Sequence, residues 1–263
     1  MDKRNVFYPG FDIKPVSEPV IGFSLGDKTF DCGVELRKLD SIRKSLMQPD
    51  CSGPENVYSI MMDVGNKEDY DDLVSRHLLY GAVCYSKGRL GREPVRSQGH
   101  IHKVSEYSGW STPEVYEIWE GKAIIYMQES GDDDPKRCYA VYGEAGDVII
   151  VPPYWTHATI NADAERNMSF GAWCDRDYGF VYDKVRAHGG IAFFPVYNGK
   201  KIEWIKNPAY KECELIQKKP GDYSALSLKK DIPIYTQYRD NKDAFDFVPN
   251  PALVKEVWEN FVP

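Results

Sequence analysis

From residue 78 onward, apolar residues fall in short runs that turn residues separate. Leu78–Tyr85, Ile118–Gln128, Cys138–Tyr142, Asp147–Val151, Met168–Trp173 and Ile191–Val196 are rich in branched and aromatic side chains. Gly121, the Gly-Asp-Asp-Asp-Pro stretch at 131–135, and residues 143–146 and 161–163 interrupt them. Short strands at such spacing predict an antiparallel sandwich or barrel. Val57–Met62 predicts one more strand. Leu36, Leu39, Ile42 and Leu46 recur at helical spacing, so a surface helix is expected over 35–46. A second helix is expected over 251–261. Asn250 is placed to cap it, Pro251 takes its first position, and Leu253, Val254, Val257, Trp258 and Phe261 share a face. Residues 1–33, with Pro9, Pro15 and Pro19, read as an N-terminal arm; 34–208 as the main domain; 209–263 as an extension packed on it.

Composition narrows the class. The 263 residues are 42% hydrophobic and 28% charged, with a net charge of −7. That balance, with no long Lys/Arg block, excludes a general nucleic-acid binder. Cys32, Cys51, Cys84, Cys138, Cys174 and Cys213 are scattered without a C-X-X-C pair, and read as reduced thiols. No apolar run reaches the roughly 18 residues of a membrane span, and no signal-peptide core opens the chain. A cytoplasmic protein without a membrane partner is the expectation.

Two blocks carry the chemistry. The first is Gly99-His100-Ile101-His102, followed by Pro113-Glu114-Val115-Tyr116 and Gly121; the second is Gly146, Pro152-Pro153, His157 and Asn161. A His-X-His pair on a strand turns both imidazoles to one face. His157 and a carboxylate from neighbouring strands would complete three nitrogens and one oxygen ligand, a set that suits a divalent first-row metal. A lone His-X-His reads more readily as two hydrogen-bonded histidines on a half-buried strand; the second block reverses that preference.

These blocks resemble the two motifs of the cupin family. Gly146, Pro152, His157 and Asn161 follow the second motif, Gly-X5-Pro-X-Gly-X2-His-X3-Asn, with Tyr154 in place of its second Gly, and Glu114 to Gly121 has the Glu-X6-Gly spacing that ends the first. Eleven residues separate His102 from Glu114, where three or four are usual. An insertion at a hairpin tip would lengthen that gap without moving either ligand. Glu106 stands at the ordinary spacing as a rival, but no Gly follows it in place, which favours Glu114.

Within the cupins, residues 56–208 or so resemble the archaeal-type phosphoglucose isomerases. The resemblance rests on Gly99-His100-Ile101-His102, Glu114-Val115-Tyr116, Met127-Gln128, the run from Val151 to Asn161, and Asp177-Tyr178-Gly179. It implies a mainly β cupin double-stranded β-helix (jelly-roll) with a few peripheral helices. It also implies a homodimer that interconverts glucose 6-phosphate and fructose 6-phosphate through an enediol. The implied cofactor is iron, manganese, nickel or zinc, held by His100, His102, Glu114 and His157. Glu114 would also be the base, with proton and hydride transfer both open. Tyr178 would meet the sugar, and Tyr116 is either a second sugar contact or a core aromatic. Ser97 and Gly99, with Tyr58 as a weaker match, map to the phosphate side. The family's Thr near residue 82 is replaced by Ala82 and Val83, which leaves Arg92, Arg96 and Lys103 as compensating cations. Three other readings stand beside the isomerase: a ketol-isomerase of an unphosphorylated sugar, a cupin dioxygenase, and a non-catalytic sugar-binding cupin.

Overall fold

The computed structural model describes residues 6–263, so the first five residues of the arm lie outside the described residues. Six strands form an antiparallel sheet in the order Val148–Val151, Glu114–Glu120, Met168–Asp175, Leu78–Tyr85, Asn56–Met62 and Glu35–Lys38. Facing it, a second sheet runs Thr156–Asn161, Lys122–Gln128, Cys138–Glu144 and Leu215–Lys218, the last pair parallel. Together they make the cupin jelly-roll, two sheets packed face to face without one continuous ladder around them.

The period-two rule sorts the side chains into layers. Leu79, Val83 and Tyr85 point inward, where they meet Ile125 and Met127 of the facing sheet. Leu78, Tyr80 and Ala82 point outward, yet they are equally buried. Their partners come from both ends of the chain: Phe11 and Ile13 before the domain, Ile234, Tyr235, Tyr238 and Phe245 after it. Trp173 stacks on Tyr235 with ring centroids 5.4 Å apart. Full burial of such side chains stabilises by roughly 1.5–3 kcal/mol each. This double burial is why Leu78–Tyr85 contains no polar alternation. On the far side, Ile124 and Tyr126 pack beneath Phe193 and Tyr210 in a third cluster.

Two expectations need correction. Residues 35–46 are not one helix: Glu35–Lys38 is an edge strand paired with Asn56–Met62, and only Leu39–Ile42 and Arg43–Ser45 form short helical turns. The buried Leu39, Ile42 and Leu46 keep their helical spacing, whereas Leu36 is 38% exposed on the strand. Pairing with an open sheet edge overrides weak local propensity there. Gly121, expected as a turn, joins strands Glu114–Glu120 and Lys122–Gln128, and its φ of +84° and backbone neighbour at 2.7 Å from a would-be Cβ demand glycine. Residues 251–261 divide into a 3-10 turn, Pro251–Val254, and a helix, Lys255–Glu259. The Asn250 side chain makes no cap bond and Leu253 is 61% exposed. Strands Lys201–Lys206 and Leu215–Lys218, and helix Ile234–Asp240, were not expected from the pattern. Among the described residues no helix is long and apolar enough to cross a membrane.

One outward-facing side chain is charged by type. Glu117 is fully buried, and accepts hydrogen bonds from the Ile234 backbone N–H at 2.7 Å and Trp119 Nε1 at 3.1 Å. Burial raises its carboxyl to about 8, against the smaller opposing effect of those two donors. A folded-state value above the unfolded one means that the folded chain binds the extra proton between about pH 4.5 and about 8. Stability contributed by Glu117 is therefore full below pH 4.5 and is lost as pH rises through 8. Denaturant unfolding between pH 5 and 8 should show wild-type stability declining by a few kcal/mol from this group, and Glu117→Gln should flatten that slope.

Candidate metal centre

Four side chains from three segments converge between the sheets. His100 and His157 form an antiparallel bridge, with N–H to O distances of 3.0 and 2.9 Å in the two directions. His102 lies on the two-residue strand Ile101–His102, paired with Phe180–Val181. Glu114 begins its strand opposite Val151. One ligand atom from each of the four lies within 4.8 Å of the other three. Glu114 Oε2 stands 3.3 Å from both His102 Nε2 and His157 Nε2.

The long gap between His102 and Glu114 is a closed loop. Val104 bridges Ser111, Ser111 Oγ donates to the His102 carbonyl at 2.8 Å, and His102 Nδ1 meets the Thr112 carbonyl at 2.8 Å. Glu106 sits exposed on this loop, its backbone N–H donating to Asp177, and is not among the four converging residues. Tyr154, the departure from the cupin motif, holds a left-handed φ of +70° where the motif has glycine. Asn161, the motif's last residue, is structural: its amide donates to the carbonyls of Ser86 and Arg166.

The donor set fits a metal. His102 Nδ1, donating to Thr112, fixes the tautomer that frees Nε2 toward Glu114. His100 Nε2 is buried without a hydrogen-bond partner, and His157 Nε2 has none but the long contact to Glu114 Oε2. Buried nitrogens left unpaired are costly in a dry site, and a cation with open coordination positions would satisfy them. Burial pushes His100 well below the ordinary imidazole value, with the neighbouring imidazoles adding to it, so it is a neutral donor. Burial alone would raise Glu114. Its bonds to His102 and His157 outweigh that and hold the carboxyl well below its usual range.

A cavity opens over this cluster. Tyr58, Ser97, Tyr116 and Tyr178 all line it. Tyr116 is fully buried and donates to Glu114 Oε2 at 2.7 Å; Cys174 Sγ lies 3.4 Å from Oε1. Tyr178 stands 43% exposed at the mouth. Tyr58 stacks on Tyr85 at 4.7 Å, and Ser97 Oγ accepts the Thr159 backbone N–H at 3.0 Å. Gly99 is the exception: it does not line the cavity but holds φ +95° with a would-be Cβ 2.7 Å from Ile191, so it shapes the turn into His100. The cations named as compensation are elsewhere. Arg96 is fully buried on Glu93 and the Ser97 and Ser45 carbonyls, Lys103 pairs with Asp177 at 2.9 Å, and Arg92 is exposed. Sequence reasoning missed Arg37, Cys174 and Tyr182, which do line it. Cys174 was findable, because Phe170, Ala172 and Cys174 alternate inward along one strand. Arg37 was hidden by the expected helix, and Tyr182 left no signal.

A jelly-roll that brings three histidines and a glutamate together between its sheets has the donor set of a metal-site cupin. Residues 43–211 match the model of the glucose-6-phosphate isomerase (GPI) family. The chain belongs to that family. It is 29% identical over 135 residues to putative glucose-6-phosphate isomerase 1 of Rhizobium meliloti (strain 1021), covering 51% of this chain and 58% of the relative. It is 27% identical over 158 residues to glucose-6-phosphate isomerase of Thermococcus onnurineus (strain NA1), covering 59% and 73%. Against the Pyrococcus furiosus enzyme of the same name it is 27% identical over 138 residues, covering 51% and 66%. The match thus spans little more than half of the Rhizobium relative's length.

Calorimetric titration of chelator-stripped protein with Mn²⁺ or Zn²⁺ should show one site per chain. Removing a ligand, as in His102→Ala or His157→Ala, should weaken it by about a hundredfold or more, and Glu106→Gln should leave it unchanged.

Proposed function

We propose that this chain is a metal-dependent aldose–ketose isomerase acting on glucose 6-phosphate and fructose 6-phosphate. The observation that carries the reading is the buried Glu114, set among three imidazoles at the floor of a hydroxyl-lined cavity, in a chain of this family. We assign His100, His102, His157 and Glu114 as the residues that hold the ion. Iron, manganese, nickel and zinc all suit their mixed nitrogen and oxygen donors. When bound, the ion supplies positive charge for the negative oxygen that develops as the substrate ionises.

The chain's own part is a proton transfer. The C–H at C2 of the open-chain aldose is weakly acidic, and its pair of electrons must pass into the C1–C2 bond as the enediol forms. Glu114 takes the C2 proton and returns it to C1, while the hydroxyl proton moves from O2 to O1. Its basicity is restrained by Tyr116 O–H at 2.7 Å and by Cys174, which also fix its orientation. Tyr116 therefore acts on Glu114 rather than on the sugar, and Tyr178 at the mouth contacts the sugar from above. Tyr58 and Ser97 supply hydroxyls along the wall. All four cluster residues except His100 are buried, so little of the floor is open to solvent. A homodimer working in the cytoplasm fits this reading as well.

The test is conversion of fructose 6-phosphate by chelator-stripped protein with each divalent ion added back. Turnover should return with metal. Glu114→Gln should then lower kcat roughly a hundred- to ten-thousandfold with metal content checked alongside. Absence of turnover in metal-loaded wild-type protein overturns the reading and points to unphosphorylated sugars.

A further inference from the structure

The cavity has a second end. Among the described residues that line it, Arg37 carries the one fixed cation, and it comes from the edge strand Glu35–Lys38, outside the residues matched by the family model. We propose that Arg37, with the hydroxyls of Tyr58 and Tyr182, forms the anion subsite that takes the substrate's phosphoryl group and sets this chain's preference for phosphorylated over free sugars. This inference rests on the sugar-isomerase reading above and adds a specificity residue to it.

Position comes first. Arg37 lies in register with Tyr58 on the neighbouring strand, and both face the cavity. Its strand is four ladder steps from that of Glu114, which is about 19 Å along the curved sheet. The long arginine side chain and the shorter glutamate reach toward each other from these two strands. The space left between them suits an extended six-carbon chain with the reacting carbons at one end and a phosphate at the other.

Hydrogen bonding is the second observation. Arg37 is 21% exposed, and its guanidinium bonds the Tyr58 hydroxyl and meets one carboxylate, Glu35 at 2.9 Å, which is itself 63% exposed at the rim. Its Nε is buried and has no partner. A rim pair of that exposure adds little stability, whereas an unpaired buried N–H detracts from it. The arrangement is therefore poor as a structural tie and good as a waiting donor. A phosphoryl group can accept from the guanidinium fork in two places at once, which a neutral hydroxyl cannot match. Gln98, also on the wall, spends its carbonyl oxygen on Arg186 Nε at 3.0 Å and keeps its amide donors.

The experiment compares metal-loaded wild type, Arg37→Met and Arg37→Lys on two ketoses, fructose 6-phosphate and fructose. The readout is the ratio of kcat/KM between them, with calorimetric titration of inorganic phosphate as an independent measure. Arg37→Met should lower the ratio about ten- to a hundredfold, the loss expected for a hydrogen bond to a charged group, mainly through KM. Arg37→Lys should recover part of it. Glu35→Gln should move KM for fructose 6-phosphate the opposite way, because it frees the guanidinium from its rim competitor. An unchanged ratio in Arg37→Met overturns the proposal, as does an equal loss on both sugars, which would mark a merely structural role. Should the wild-type protein turn over neither ketose, the isomerase reading fails while phosphate titration still decides the subsite. Phosphate binding that Arg37→Met abolishes supports it, and no binding to wild type overturns it.

Discussion

A carboxylate and three imidazoles held together between two sheets constrain everything around them. Burying an ionised carboxylate without compensation costs several kcal/mol at least, so each surrounding group has to be placed. Thr112 fixes one imidazole, Tyr116 and Cys174 bond the carboxylate, and the His100–His157 bridge sets two rings at a fixed separation. Because the two sheets contribute different ligands, any slip of register by one residue would turn Glu114 away from the histidines. The site and the fold are thus one arrangement.

Rigidity of that register comes from outside the jelly-roll. The six-stranded sheet is apolar on both faces, and its outer face is covered by residues from the first and last portions of the described chain. Those portions pack on the backs of the strands that carry Glu114 and Cys174. Glu117, three residues beyond Glu114 and on the opposite face, bonds the start of helix Ile234–Asp240. The same strand therefore serves the site on one face and anchors the C-terminal segment on the other.

Arg37 shows how the site grows past its motifs. The histidines and Glu114 lie within the stretch matched by the family, whereas Arg37 precedes it. Edge strands have free room on their open side, so a long charged side chain can be added there without disturbing the ladder. The phosphate-side cations looked for near the motif, Arg92, Arg96 and Lys103, sit on the surface or are committed to other partners.

The sequence by itself determined the all-β texture, most strand positions after residue 78, and the four converging residues with Glu114 favoured over Glu106. Those features are local: period-two alternation, turn residues and motif spacing survive in one dimension. It misjudged 35–46, read 251–261 as a single helix and passed over Cys174, Tyr182 and Arg37. Each of those depends on what lies across space: an open sheet edge that captures Glu35–Lys38, an outer core that buries Phe261 but leaves Leu253 exposed, and a cavity wall assembled from strands far apart in the chain. Only the tertiary structure decided them, because pairing and burial energies between distant segments outweigh the propensity of any one segment.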